Sequence, residues 1–193
     1  MAMSKTKELA LTALLAALVV ILQFLSLAAR AFLPFAISLS LIPIIIGAAL
    51  IGPKTGGILG LVSALVILYT DAGAFLAVDV KGTIITVILK GVISGVAAGF
   101  IYRFSRMGAK RMTSVFYASI VCTLLNTLIF LIGVRLFFWD TVSGWALAAG
   151  YEETTVYVFT ALVGVNFLIE LATTVFLSPT IFRLIKISNS KQY

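Results

Sequence analysis

The sequence predicts an all-α integral membrane protein with six transmembrane helices, on three observations. The 193 residues are 62% hydrophobic and only 11% charged, whereas about 25% of the residues of a soluble domain are charged. The apolar residues form continuous runs rather than the alternating pattern of barrel strands. Six spans of about 20 residues each would use most of the chain, which leaves no room for a separate soluble domain.

Six apolar runs, separated by polar residues, define the predicted helices. The first follows Lys5 and Lys7, and it exceeds the roughly 7–15 apolar residues of a signal peptide, so we interpret it as a retained span. The second is entered through Pro34 and closed by Gly52 and Pro53, and both it and the third are short. The predicted spans cover residues 9–29, 37–51, 56–69, 83–102, 114–138 and 154–187.

The basic residues give the orientation of these helices, because cytoplasmic loops of membrane proteins carry an excess of Lys and Arg. With the N-terminus inside, the cytoplasmic segments hold most of the 14 basic residues, namely Lys5, Lys7, Lys54, Arg103, Arg106, Lys110, Arg111, Arg183, Lys186 and Lys191. We therefore predict cytoplasmic termini and a multi-pass protein of a bacterial cell membrane. The net charge of +7 then reflects topology and contact with anionic lipid rather than binding of nucleic acid.

Several classes of chemistry are excluded by composition. The chain has no histidine and a single cysteine, Cys122, so a Ser-His-Asp triad, an internal disulfide and a His or Cys metal site are all ruled out. Neither G-x-x-x-x-G-K-[ST] nor G-x-G-x-x-G occurs, so the chain itself does not hydrolyse ATP. An intramembrane enzyme is disfavoured because neither G-x-S-x-G nor paired aspartates within spans are present. We predict no catalytic residues and no metal.

Small residues at four-residue spacing mark three helices. They form Ala13-x-x-x-Ala17, Gly56-x-x-x-Gly60 and the series Gly91, Gly95 and Gly99. Such spacing lets two helices approach closely in lipid. For the glycines we favour packing within the bundle. For the alanines, internal packing and a docking face for a partner protein both remain open.

Polar residues within the spans, and the loops outside them, indicate a binding site. Lys90 lies about 10 Å from the outer end of its helix, Asn126 lies in the fifth span, and Asn166 and Glu170 share one face of the sixth. A charged group in the bilayer is costly unless it is paired or faces a cavity, so each is a functional-site candidate. A purely structural Lys90–Glu170 pair is the alternative. The outer loops 70–82 and 139–153 are long and carry aromatic residues, which suggests recognition from outside.

The alanine pair and three sequence runs carry a resemblance to a known family. The runs are ISLSLIPIIIGAALIGP at 37–53, FLAVD at 75–79 and GTIITVILKG at 82–91. Over its whole length the chain resembles the substrate-binding S-components of energy-coupling factor (ECF) vitamin transporters, and these runs are most similar to the pantothenate branch. The resemblance implies an S-component-like bundle that forms one substrate-binding domain over residues 1–193.

The resemblance also implies a division of labour. Such a subunit is not an enzyme and holds no cofactor; it captures a vitamin from outside and docks through helix one, here Ala13 and Ala17, onto a transmembrane coupling protein. Two further subunits bind ATP and Mg²⁺, and hydrolysis there topples the S-component toward the cytoplasm. By position, the loop 70–82 would be a lid, and the pocket candidates are Lys90, Asn126, Arg135, Asn166 and Glu170.

The chemistry of these candidates is compatible with pantothenate. Its carboxylate would meet Lys90 or Arg135, and its hydroxyl and amide groups would meet Asn126 and Asn166. Cobalamin, a folate or a vitamin precursor are alternative ligands. A stand-alone secondary transporter that depends on Glu170, the only acid deep in a span, is the alternative mechanism.

Overall fold

The computed structural model describes residues 4–30, 38–108 and 111–190, and this part of the chain is built of helices joined by short turns. The helices are α1 (Lys5–Arg30), α2 (Leu41–Leu50), α3 (Pro53–Thr70), α4 (Gly73–Leu76), α5 (Val80–Ser105), α6 (Arg111–Phe137), α7 (Trp139–Ala148), α8 (Thr154–Tyr157), a π-helical turn (Val158–Leu162), α9 (Gly164–Phe176) and α10 (Ser178–Ser190).

Five helical segments of the described residues are long and apolar enough to cross a membrane. They are Lys5–Ala29, Pro53–Thr70, Val80–Ser105, Met112–Phe137 and Thr154–Phe176. This confirms the predicted all-α membrane fold. The predicted second span is different: its described part is α2, a helix of 10 residues, which is about 15 Å long and too short to cross the hydrocarbon core alone.

Both predicted outer loops contain helix, and the predicted sixth span is interrupted. Segment 70–82 holds α4 and the first turn of α5, while segment 139–153 holds α7. The short α7 forms because Val142 and Ala146, four residues apart, are buried on one side of it. The last span changes to a π turn at 158–162 and breaks again at Leu177, just before Pro179, whose ring cannot continue a regular helix.

Helices α3 and α5 contact each other closely through glycine. A Cβ added to Gly56 or Gly60 would overlap the carbonyl oxygen of Gly95 or Gly91, respectively, and the reverse substitutions meet the same obstacle. Because no side chain separates the two backbones, the contact is rigid and depends on glycine at these positions. The packing role predicted for these glycines is confirmed.

On the opposite side of α5, helix α6 packs against α9 and α10 through buried hydroxyl groups. Thr123 and Thr174 hydroxyl oxygens lie 3.1 Å apart, and the Ser178 hydroxyl donates to that of Ser119 at 3.2 Å. Each of these side chains is buried. Apolar residues of α1, α2, α3, α5, α6 and α10 form one core, and valines and aromatic residues around Phe138 form a second. Phe138 and its neighbours Phe75 and Phe130 also line a cavity.

Candidate functional site

A polar cavity of about 820 Å³ lies among α1, α3, α5, α6 and the π turn with α9. Its lining includes Asp71, Ala72 and Phe75 of segment 70–82, which is on the outer side in the predicted orientation. Four of the five residues predicted as pocket candidates line it, namely Lys90, Asn126, Asn166 and Glu170. They come from three helices, α5, α6 and α9. The fold therefore brings the intramembrane polar residues together, while their role in binding stays a prediction.

Lys90 forms the cationic part of the cavity wall on α5. Its Nζ atom lies 5.3 Å from the centre of the Phe130 ring, so the aromatic face of α6 helps to hold the ammonium group within the bundle. Thr86 and Thr83, one and two turns toward the outside, line the same wall. Among the described residues, the buried Thr86 hydroxyl finds no hydrogen-bond partner.

Asn166 and Glu170 form the facing wall on α9. The one-turn spacing predicted from the sequence places both on the cavity. The Asn166 Nδ2 atom donates to the Leu162 carbonyl at 3.3 Å, which ties this side chain to the π turn. Glu170 is only 8% exposed, and its carbonyl accepts a hydrogen bond from the Thr174 hydroxyl at 2.9 Å. A carboxyl group this deeply placed needs a partner or a polar cavity beside it.

Arg135, the fifth pocket candidate, does not line the cavity. Its side chain is exposed, and its guanidinium carbon lies 4.3 Å from the centre of the Trp139 ring. Arg135 is in the last turn of α6, where a cation suits both the helix dipole and the membrane interface. The geometry therefore assigns this residue an interfacial position.

Ala13 and Ala17, the predicted docking residues, are exposed on α1. The opposite side of the helix packs inward through Leu15 and Val19. Among the described residues, the alanine pair therefore does not pack inside the bundle, which was one of its two possible roles. A docking role for the exposed face stays a prediction.

Gln23 and Asp71 are cavity residues that the sequence analysis did not select. The Gln23 Nε2 atom donates to Asp71 Oδ2 at 3.1 Å, and the Ser40 hydroxyl donates to Gln23 Oε1 at 3.0 Å. The Ser40 and Ser63 hydroxyl oxygens are 3.1 Å apart. This network, buried at Gln23, Ser40 and Ser63, joins α1 to α3 and to the turn before α2. Its sequence signal is the polar Gln23 within an apolar run.

The aromatic side chains of the cavity lie mainly at its outer end. The Phe75 ring of α4 packs edge-on against Phe130, Phe138 and Trp145, at centroid distances of 5.7, 4.9 and 5.4 Å. Segment 70–82 thus covers part of the cavity, in the place where the lid was predicted. Of these rings, Phe75, Phe130 and Phe138 line the cavity itself.

The chemical groups of the cavity suit a small polar molecule. One ammonium, from Lys90, and two carboxyl groups, from Asp71 and Glu170, share the lining with carboxamides, hydroxyls and aromatic rings. Such a mixture of a few polar groups on an apolar wall is typical of ligand sites. No group of three or more Cys, Asp and Glu side chains is placed to hold a metal ion within the ranges 4–30, 38–108 and 111–190.

Comparison with known proteins gives one match. The model of the family described as "ECF transporter, substrate-specific component" matches residues 7–182. No curated protein matches the chain, and no solved structure does. The family match covers the helices that form the cavity and the exposed face of α1.

Proposed function

The chain belongs to the family of ECF transporter substrate-specific components, and we propose that it binds a vitamin in the cavity beside Lys90 and Glu170. The family makes it a multi-pass membrane subunit that supplies substrate specificity. The single observation that carries the proposal is the convergence of Lys90, Asn126, Asn166 and Glu170 on one cavity. Polar groups within a bilayer are retained where they serve a ligand or one another.

Pantothenate is the first ligand that we propose. Its carboxylate would bind the Lys90 ammonium, and its amide would bind the carboxamides of Asn126 and Asn166. Its two hydroxyl groups would donate to Asp71 or Glu170, since an ionised carboxyl group only accepts hydrogen bonds. The cavity volume of about 820 Å³ is at the upper end of the range of about 300–1,000 Å³ for small-molecule sites, so larger vitamins belong in the same test.

Delivery would depend on partners, as the resemblance implies. We propose that the exposed face of α1 around Ala13 and Ala17 docks onto a transmembrane coupling protein of a bacterial cell membrane. Two ATP-binding subunits attached to that protein would hold ATP and Mg²⁺ and supply the energy, so the chain itself would not be an enzyme. Support comes from the exposure of both alanines, because small residues leave room for the close approach of another helix.

Calorimetry on the purified full chain, without ATP or partners, tests the binding step. Pantothenate, cobalamin, folate and vitamin precursors are titrated separately, and one-to-one binding of one compound is expected. Asn166→Ala should weaken that binding, while Ala13→Trp should leave it intact and abolish uptake by the complete transporter. If no compound binds and proton-driven uptake into vesicles depends on Glu170, the chain is a secondary transporter instead.

A further inference from the structure

The cavity wall formed by the last membrane-spanning segment contains an irregular turn. Four consecutive residues of it, Thr160, Ala161, Leu162 and Val163, line the cavity. Three of them belong to a π-helical turn at residues 158–162, and Val163 directly follows it. The irregular turn therefore forms this part of the wall.

The hydrogen bonds show that this turn contains one more residue than a turn of a regular α-helix. The Val163 N–H donates to the Val158 carbonyl at 3.0 Å, a bond that spans five residues where a regular α-helix spans four. Side chains bond two further carbonyl groups around the turn: the Thr160 hydroxyl donates to Val156 at 2.6 Å, and Asn166 Nδ2 donates to Leu162. The turn thus accommodates one residue more than a regular helix would.

Gly164 directly follows the turn and has no room for a side chain. A Cβ added there would overlap the carbonyl oxygen of Phe159 and lie 3.0 Å from its carbonyl carbon. Both are backbone atoms of the π turn, so they cannot move aside as the end of a flexible side chain would. Only glycine is compatible with the turn in this form.

The segments on either side of the turn are held by different parts of the protein. On the outer side, the Thr154 hydroxyl donates to that of Ser143 in α7 at 3.0 Å. On the inner side, Thr174 and Ser178 are hydrogen-bonded to residues of α6. Both segments therefore keep these contacts only if the chain between them accommodates the extra residue as a π turn.

We propose that Gly164 is a positioning residue of the cavity: by permitting the π turn at 158–162, it presents Thr160–Val163 to the ligand while Asn166 and Glu170 keep their places on α9. Thr160 supplies a hydroxyl group and Leu162 and Val163 supply apolar contacts to this part of the wall. π turns of this kind occur frequently at functional sites. The role in ligand binding rests on the proposed function, whereas the role in forming the turn does not.

The test combines Gly164→Ala with deletion of Ala161, a residue without a functional side chain. In the full-length chain, Gly164→Ala should lower the melting temperature of the detergent-solubilised protein by roughly 5 °C or more, because the added Cβ displaces backbone. Deletion of Ala161 removes the extra residue and allows a regular helix. In that background the same substitution should raise the melting temperature by roughly 2 °C, because alanine is favoured over glycine in a helix.

Gly144→Ala is the matched control, because Gly144 is helical and a Cβ added there would have no atom within 4 Å. It should not lower the melting temperature in either background. An equal effect of Gly164→Ala with and without the deletion would overturn the role of Gly164. If the Ala161 deletion does not fold, deletion of Leu162 gives a second background. The extra residue of a π turn can be removed without loss of the helix, so if neither deletion variant folds, the proposal is overturned.

Calorimetry then tests whether ligand binding depends on the π turn. The Ala161 deletion should keep or exceed the wild-type melting temperature and bind the vitamin identified for the wild-type chain at least about 10-fold more weakly. Unchanged affinity would show that the wall does not need the π turn, and would overturn the positioning role. If the wild-type chain binds no vitamin in the panel, the proposed function fails, and the sign reversal at Gly164 still decides whether glycine holds the turn.

Discussion

The contact between α3 and α5 gives a prediction that can be worked from the structure. A Cβ at Gly91 would overlap the Gly60 carbonyl oxygen and lie 3.1 Å from the Gly60 carbonyl carbon and 3.3 Å from the Ala64 Cβ. Two of these three atoms are backbone. To restore ordinary van der Waals contact, the helices would have to separate by roughly 1 Å, which weakens the contacts along both of them.

Gly91→Ala is therefore expected to destabilise the protein although alanine is the better helix former. Overpacking of a close contact costs about 1–3 kcal/mol, and each kcal/mol lowers the melting temperature of a chain of this size by roughly 2–4 °C. The expected decrease is thus roughly 2–12 °C. Thermal unfolding of the purified protein in detergent or nanodiscs, followed by circular dichroism, measures it.

Gly73→Ala provides the matched control. Gly73 begins α4 and has no atom within 4 Å of an added Cβ, so this substitution should leave the melting temperature unchanged or raise it slightly. Gly60→Ala should cost as much as Gly91→Ala, and the double variant less than the sum, because one separation of the helices accommodates both methyl groups. Equal melting temperatures for Gly91→Ala and Gly73→Ala would refute the packing argument.

Three further predictions concern the cavity and its supports. Lys90→Met should weaken vitamin binding by roughly 10–100-fold in calorimetry, because a charge-assisted hydrogen bond contributes about 1.5–3 kcal/mol. Arg135→Met, the control, should change the affinity less than about 2-fold. Equal losses of affinity in the two variants would contradict the geometry. Gln23→Leu removes the hydrogen bonds to Asp71 and Ser40 at similar volume and should destabilise the fold by about 1–3 kcal/mol in chemical unfolding, and a neutral result would count against the network. Thr123→Val and Thr174→Val should show a coupling of about 0.5–2 kcal/mol in a double-mutant cycle, whereas strict additivity would mean that the hydroxyl pair contributes nothing.

Local spacing predicted much of the fold and four of the residues that line the cavity. The long spans are visible in the sequence because a helix that crosses the bilayer needs about 20 apolar residues. Asn166 and Glu170 could be assigned to one face since residues four apart on a helix always share one. The glycines of α3 and α5 were identified for the same reason, and the structure places them against each other.

Tertiary contacts determine what the sequence did not reveal. Gln23 and Asp71 are 48 positions apart in sequence, and no local pattern indicates that they meet. Arg135 was predicted in the pocket by its position in the resemblance, yet its side chain is exposed at the end of α6 and lies against the Trp139 ring. The π turn escaped prediction because its cause is the anchoring of its two flanks by other helices, and its only local signal is Gly164.

Because Arg135 does not line the cavity, the ligand site has one cationic side chain fewer than the sequence predicted. Among the described lining residues, Lys90 is the only cation, whereas Asp71 and Glu170 are both acids. A ligand with two carboxylates would place its second negative charge beside an acidic group, and like charges brought together in a region of low dielectric repel strongly. A ligand with one carboxylate and several hydroxyl or amide groups avoids this repulsion. We therefore expect calorimetry to show weaker binding of a folate, whose glutamate part carries two carboxylates, than of a vitamin with one carboxylate.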